Sequence, residues 1–247
     1  MHEIFKISIF ASVKFHKVIR LNEKIHYQIM NKTRILLIVL LIVSVSDCFA
    51  QLAPDGSYLW NIQNVSYPIN QNTHLLLNAK EQYSNQIDRH DFFHIELDVF
   101  RNINQRFSVG LGYRQTENYK SDVWFAGHNY LLYGICFFSP ANLKIKFANR
   151  VVYKSFRNAD SQIGLDNITN VDFFVRSTNH IPKPYISDEV FSELKSMEIQ
   201  NVRLYGGLHV WNREHLAFDI FYCDLFVNSA NAWKNFNVFG LNTKFTI

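Results

Sequence analysis

Along residues 92–100 apolar and polar side chains alternate strictly, with Phe93, Ile95, Leu97 and Val99 on one face and His94, Glu96 and Asp98 on the other. A period of two marks a strand with one apolar face, because successive side chains project to opposite sides of the pleat. The pattern returns at 106–114, where Phe107, Val109, Leu111 and Tyr113 oppose Ser108, Gly110, Gly112 and Arg114. At 143–154 Leu143, Ile145, Phe147, Val151 and Tyr153 oppose Lys144, Lys146, Ala148, Arg150 and Lys154. Val202, Leu204, Leu208 and Val210 then oppose Arg203, Tyr205, Gly207 and His209, and Phe239, Leu241, Phe245 and Ile247 oppose Gly240, Asn242, Lys244 and Thr246.

Asn- or Pro-bearing turns punctuate these runs near 68–72, 102–105, 139–142, 179–182 and 212–214, as tight hairpins require. Longer polar stretches lie near 84–91, 115–122, 155–167, 195–200 and 228–235. Alternating short and long connections, joined by strands of about ten residues, predict an all-β chain: an antiparallel up-and-down transmembrane β-barrel with short periplasmic turns and long external loops. Hydrocarbon favours closure, since a sheet survives there only without an edge. Five hairpins, near 57–83, 91–115, 124–154, 168–192 and 201–227, and a last segment at 236–247 make eleven segments. Single-chain bacterial barrels carry even numbers, so ten to twelve strands are expected. The first segment is the one expected to stand outside the wall, because Trp60 and Ile62 change register before Val65 and Tyr67, as at a bulge.

Aromatic residues at segment ends fit the girdles of such a barrel: Tyr58, Trp60, Tyr67, Tyr83, Trp124, Phe125, Tyr130, Phe137, Phe138, Trp211, Trp233 and Phe236. A soluble β-sandwich or lipocalin-like barrel would alternate equally well with its apolar face inward. The competing reading is therefore a soluble periplasmic or secreted barrel that binds a small apolar ligand.

Upstream, Ile35–Val43 is an unbroken apolar run after Lys32 and Arg34, leading to Cys48-Phe49-Ala50. That is the form of a secretory signal, too short for a membrane-spanning helix of about 20 residues. The expected organisation is an over-extended start at 1–29, a signal at 30–50 cleaved after Ala50, and one barrel domain at 51–247. Cleavage would remove Cys48 and leave Cys136 and Cys223, which is too few for a disulfide framework. The net charge of +4 suggests an acidic partner, yet residues 1–50 hold seven Lys/Arg and three acids, leaving eighteen of each sign beyond them. A neutral remainder removes the argument for nucleic acid.

Four stretches together resemble an uncharacterised family of exported barrels, domain of unknown function twenty-four-ninety. They are Tyr58-Leu59-Trp60, Phe107–Arg114, Lys183–Phe191 and Asn237–Asn242. The resemblance covers about residues 57–247. It implies an outer-membrane-type barrel and carries over no catalytic residue. The terminus, with Gly240, Phe245 and a last apolar Ile247, is similar to the signal read by barrel-assembly machinery. The expected surroundings are thus the outer membrane of a Gram-negative-type bacterium, its lipid and that machinery.

Folding the polar faces inward would gather Glu96, Asp98, Arg114, Lys144, Lys146, Arg150, Glu189, Arg203 and Asp219 in one lumen. Opposite charges there should pair into a structural plug, because an unpaired buried charge is costly. The basic band Lys144–Lys154 would alternatively filter a small anionic solute, making a narrow, porin-like pore. Gly110, Gly112, Gly206 and Gly207 would relieve crowding across the lumen. Histidines at 90, 94, 128 and 180, with Asp88, Asp91 and Asp122 near them, invite a hydrolase reading, but no nucleophile and base are tied by spacing. Asp188 and Glu189 point to opposite faces and cannot act together. No catalytic, cofactor or metal residue is expected.

Overall fold

The computed structural model describes residues 57–84, 90–120, 123–140, 142–156, 159–173, 182–229 and 232–247. The extended start, the signal, its cleavage point, and residues Asp88, Asp122 and His180 lie outside them. Eleven strands form the wall: β1 Ser57–Asn70, β2 Thr73–Ser84, β3 His90–Asn102, β4 Phe107–Lys120, β5 Val123–Phe138, β6 Leu143–Phe156, β7 Ala159–Phe173, β8 Lys183–Glu193, β9 Glu198–Arg213, β10 Leu216–Ser229 and β11 Ala232–Thr246. Each pairs with its chain neighbours, and β1 closes the barrel against β11.

The count resolves the parity problem in neither of the expected ways. No segment is missing and the first is in the wall. With an odd number of alternating strands the first and last run the same way, so the β1–β11 seam is parallel, in register from Ser57↔Asn237 to Ser66↔Thr246. The register of β1 against β2 runs unbroken from Tyr58 to Pro68 and shifts only between Pro68 and Asn70, so the expected bulge at Trp60–Ile62 is absent. Parallel pairing is slightly the weaker kind. A cluster of buried inward side chains backs the seam: Trp60 from β1, Val238 from β11, Phe221, Cys223 and Leu225 from β10, and Tyr185 from β8.

The loop asymmetry that suggested an orientation is also absent. Most of the polar stretches read as long loops are strand: β7 begins at Ala159, and β4 continues to Lys120. The longest connection, between Phe173 and Lys183, falls at the mouth expected to carry the short turns. Polar side chains at a mouth are solvated whether the backbone is paired or not, so composition alone could not mark where pairing stops.

The alternation itself gives the facing. Leu97, Leu111, Leu132, Phe147, Ile163, Ile186, Leu204, Ile220 and Phe239 are exposed on the outer wall, while their neighbours in sequence fill the lumen. Near the mouths Tyr67, Trp124, Phe138, Trp211 and Trp233 are exposed. Trp211 reaches the outer face because a register shift opposite Phe218 and Asp219 follows His209. Four expected girdle residues turn inward: Trp60 is buried, Tyr58 and Phe236 pack on its cluster, and Phe137 packs on a second inner cluster of Phe100, Leu131, Tyr133, Ile135, Ala148 and Val152. The lumen is therefore as apolar in places as it is charged in others. The two cysteines lie on opposite faces, Cys223 fully buried with the inner cluster and Cys136 beside the inward Ile135 and Phe137, and both are free.

Large inward side chains cross over glycines. A Cβ on Gly110 would overlap the Phe100 ring, on Gly207 the Tyr185 ring, on Gly240 the Phe221 ring, and on Gly112 the Asp98 carboxylate. Gly206 differs from expectation, because its outer-face surroundings are open. Gly112→Ala is expected to lower stability by about 1–3 kcal/mol, as overpacking does. Urea titration of the folded protein would check it, with Gly134→Ala, where an added Cβ meets nothing within 4 Å, leaving the midpoint unchanged.

Candidate functional site

The inward positions of β3 to β9 build a network around the middle of the lumen. Glu96 on β3 pairs with Arg114 on β4, its register partner, and accepts a 2.6 Å hydrogen bond from the Tyr133 hydroxyl on β5. Arg150 on β6 directs Nε and Nη2 to Asp166 Oδ2 on β7 at 2.9 and 2.7 Å, and Nη2 also lies 3.4 Å from Glu189 on β8. Glu189 accepts in turn from Arg203 Nη1 at 2.8 Å and the Tyr205 hydroxyl at 3.1 Å, both on β9. Aromatic faces carry the remaining charge: Arg203 lies 4.3 Å over Phe191 and 5.1 Å over Trp60, and Lys80 Nζ sits 3.0 Å from the Trp60 centroid. Guanidinium suits such positions because it stacks and forks at once.

A second group lies toward the mouth where β11 ends. Asp219 receives Lys244 Nζ at 2.6 Å and His209 Nδ1 at 2.7 Å, and His209 Nε2 lies 3.3 Å from Asp172. Both ring nitrogens face carboxylates, so neither is free to act as a base, and the ring stacks on Tyr185 at 4.7 Å. Around this group opens a vestibule of about 630 Å³, whose lining includes Lys144, Lys183, Arg213 and Lys244.

Three amides run from the second group to His94. Asn242 Nδ2 donates to Asp219 at 3.2 Å, Asn64 Nδ2 donates to Asn242 Oδ1 at 2.7 Å, and Asn78 Nδ2 donates to Asn64 Oδ1 at 2.9 Å. His94 Nε2 then meets Asn78 Oδ1 at 2.6 Å. The chain crosses β10, β11, β1, β2 and β3, and so spans the parallel seam. Asn64→Ala would leave an amide donor and an amide acceptor without their partners. The expected cost is about 1–3 kcal/mol, read as a lower urea midpoint.

Of the sequence-predicted residues, Glu96, Arg114, Arg150, Glu189 and Arg203 come together in the central network, and Asp219 anchors the second group. Lys144 lines the vestibule and Lys146 the central cavity, without an ion pair among the described residues. Asp98 is buried with its Oδ1 unpartnered. Sequence reasoning missed Asp166, Asp172, Asn78 and Lys80. Of the described candidate histidines, His94 lies in the lumen, His128 meets Tyr113 on the outside at 2.7 Å, and His90 packs among Tyr83, Phe93 and Trp124. Among the described residues no three His, Cys, Asp or Glu are grouped as a metal would need.

A family described as Protein of unknown function (DUF2490) matches residues 58–237, which run from the start of β1 into β11. The chain belongs to this family. No curated protein matches it significantly. The match takes in nearly the whole closed wall of this DUF2490 barrel and every member of the central network, and it stops before Asn242 and Lys244 of the second group.

Proposed function

We propose that this DUF2490 protein is an integral outer-membrane β-barrel with a plugged lumen and a structural or interaction-bearing role. The observation that carries the reading is the exposed apolar belt, to which strands all round the barrel contribute, against a lumen that holds the ion pairs. Exposing Leu111 to 65% and Leu132 to 55% in water would forfeit the burial that stabilises a soluble fold. Strands of 11 to 16 residues exceed the 9–11 that a tilted membrane strand needs. The lumen argues for a plug over an open pore, since ion pairs and two apolar clusters occupy its section.

The belt carries polar positions, and one group of them spans three adjoining strands. On adjoining β6, β7 and β8 the outward positions include Asn149, Asn167, Thr169 and Asp188, with Asp188 opposite Thr169 in register. Polar groups facing acyl chains are costly, so this stretch is where a protein neighbour would replace lipid. The test is fractionation of cells expressing the chain. Release only with detergent, and a folded band whose gel mobility changes on boiling, are the expected results. Release by osmotic shock would replace this reading with a soluble barrel.

A further inference from the structure

We propose that the central lumen cavity binds a small organic monocarboxylate whose far end carries a hydrogen-bond donor. The cavity has about 270 Å³ and is walled in part by Phe92, Phe100 and Phe191. Its charges do not balance. Lys80, Arg114, Lys146, Arg150 and Arg203 line it, against Glu96, Asp98 and Glu189, with Asp166 behind them on Arg150. The lining holds five basic and three acidic side chains, and the surplus has a definite place: Arg114, Arg150 and Arg203 have carboxylate partners, whereas Lys80 and Lys146 have none within ion-pair distance among the described residues. Lys80 is 6% exposed and rests on the Trp60 ring. Arg203 Nε is a further buried donor without a partner. A buried amine without an acid partner gains one when a carboxylate binds beside it.

The other end is set by the amide chain. The Asp219 carboxylate can only accept, which fixes Asn242, Asn64 and Asn78 with nitrogen toward it and oxygen away from it. Asn78 Oδ1 therefore accepts a hydrogen bond from His94 Nε2–H, and in the neutral ring the lone pair sits on Nδ1. His94 Nδ1 and Asp98 Oδ1 are both buried acceptors without a partner, on residues that line the cavity. A ligand that satisfies the whole site presents a carboxylate to Lys80, Lys146 and Arg203, an apolar body to the phenylalanines, and a donor to His94 and Asp98. The site needs only the closed barrel and its lumen, and it stands apart from the question of membrane residence.

Titration calorimetry of the folded full chain in detergent, with 3-hydroxybenzoate, benzoate and phenol as probes, tests the proposal. Saturable binding of 3-hydroxybenzoate at one site is expected, with benzoate about tenfold weaker and phenol silent, as loss of a hydrogen bond to a charged group implies. Lys80→Met and Lys146→Met are each expected to weaken binding about tenfold or more. Asp98→Leu, which removes the acceptor, should narrow the preference for 3-hydroxybenzoate over benzoate. Binding should also change Trp60 emission, because Lys80 shifts above its ring, and Trp60→Phe should remove that signal while the heat remains. Absence of saturable heat, equal affinity for benzoate, or binding unchanged in both lysine variants overturns the proposal. Should Lys80→Met fail to give the folded band, Lys80→Gln and Lys146→Met carry the same decision. A fractionation that finds a soluble barrel would overturn membrane residence and leave this result standing.

Discussion

Replacing Arg150 with Met is expected to destabilise the barrel by about 3–5 kcal/mol, the cost of stranding buried charge. Arg150 is the hub of the central network: both Asp166 and Glu189 depend on it, and at 6% exposure water offers little substitute. Glu189 would keep Arg203, so the burden falls on Asp166, which is 2% exposed and is paired with Arg150. The variant Arg150→Met with Asp166→Leu should therefore recover most of the loss, because an apolar pair can replace a buried ion pair at little cost. Urea titrations of the boiling-sensitive band, for both single variants and the double, measure the coupling directly. Equal midpoints for Arg150→Met and the wild type would mean that the lumen is wet enough to solvate both carboxylates, and would remove the plug.

How far the fold could be read depended on whether each strand stated its own face. In β3 over 93–99 and in β6 over 143–147 hydrophobic and polar residues alternate, and the structure places Glu96 and Lys146 inside as the pattern requires, with Arg150 in the same phase. In β2 the run Leu75-Leu76-Leu77 hides the phase, so Asn78 and Lys80, both inward, carried no readable direction. Asp166 was lost differently: its strand starts with Ala-Asp-Ser-Gln, which reads as loop, and only pairing with β6 turns it into wall. Asn64 has no charge to mark its face, and its place in the amide chain depends on β11, whose Asn242 lies 178 residues away. Period identifies strands and faces; it does not say which strands meet at closure.

Closure is where the local rules gave no answer. Ten antiparallel pairs follow from chain adjacency, but the parallel seam follows from the odd count alone. The amide chain and the Trp60 cluster both converge on it. Directional hydrogen bonds between side chains suit that task, since they fix register where no hairpin turn does.

Leu97→Arg should abolish assembly into the membrane, and Asp98→Asn should leave it intact. The two residues are neighbours in sequence and differ in facing: Leu97 is 49% exposed on the outer wall between Leu77 and Tyr113, and Asp98 is 1% exposed over Gly112. An arginine on a lipid-facing position costs about 2–4 kcal/mol near the midplane and almost nothing at the interface. Depth therefore adds a second prediction, that Ile103→Arg, in the turn between β3 and β4, is tolerated. Asparagine in place of Asp98 keeps the volume and removes a charge that has no ion pair among the described residues. A soluble barrel would invert the order, because arginine at a half-exposed surface site changes stability by only about half a kcal/mol. The readout is the yield of boiling-sensitive, detergent-extracted protein from cells expressing each variant. Full yield from Leu97→Arg would mean that the belt faces water.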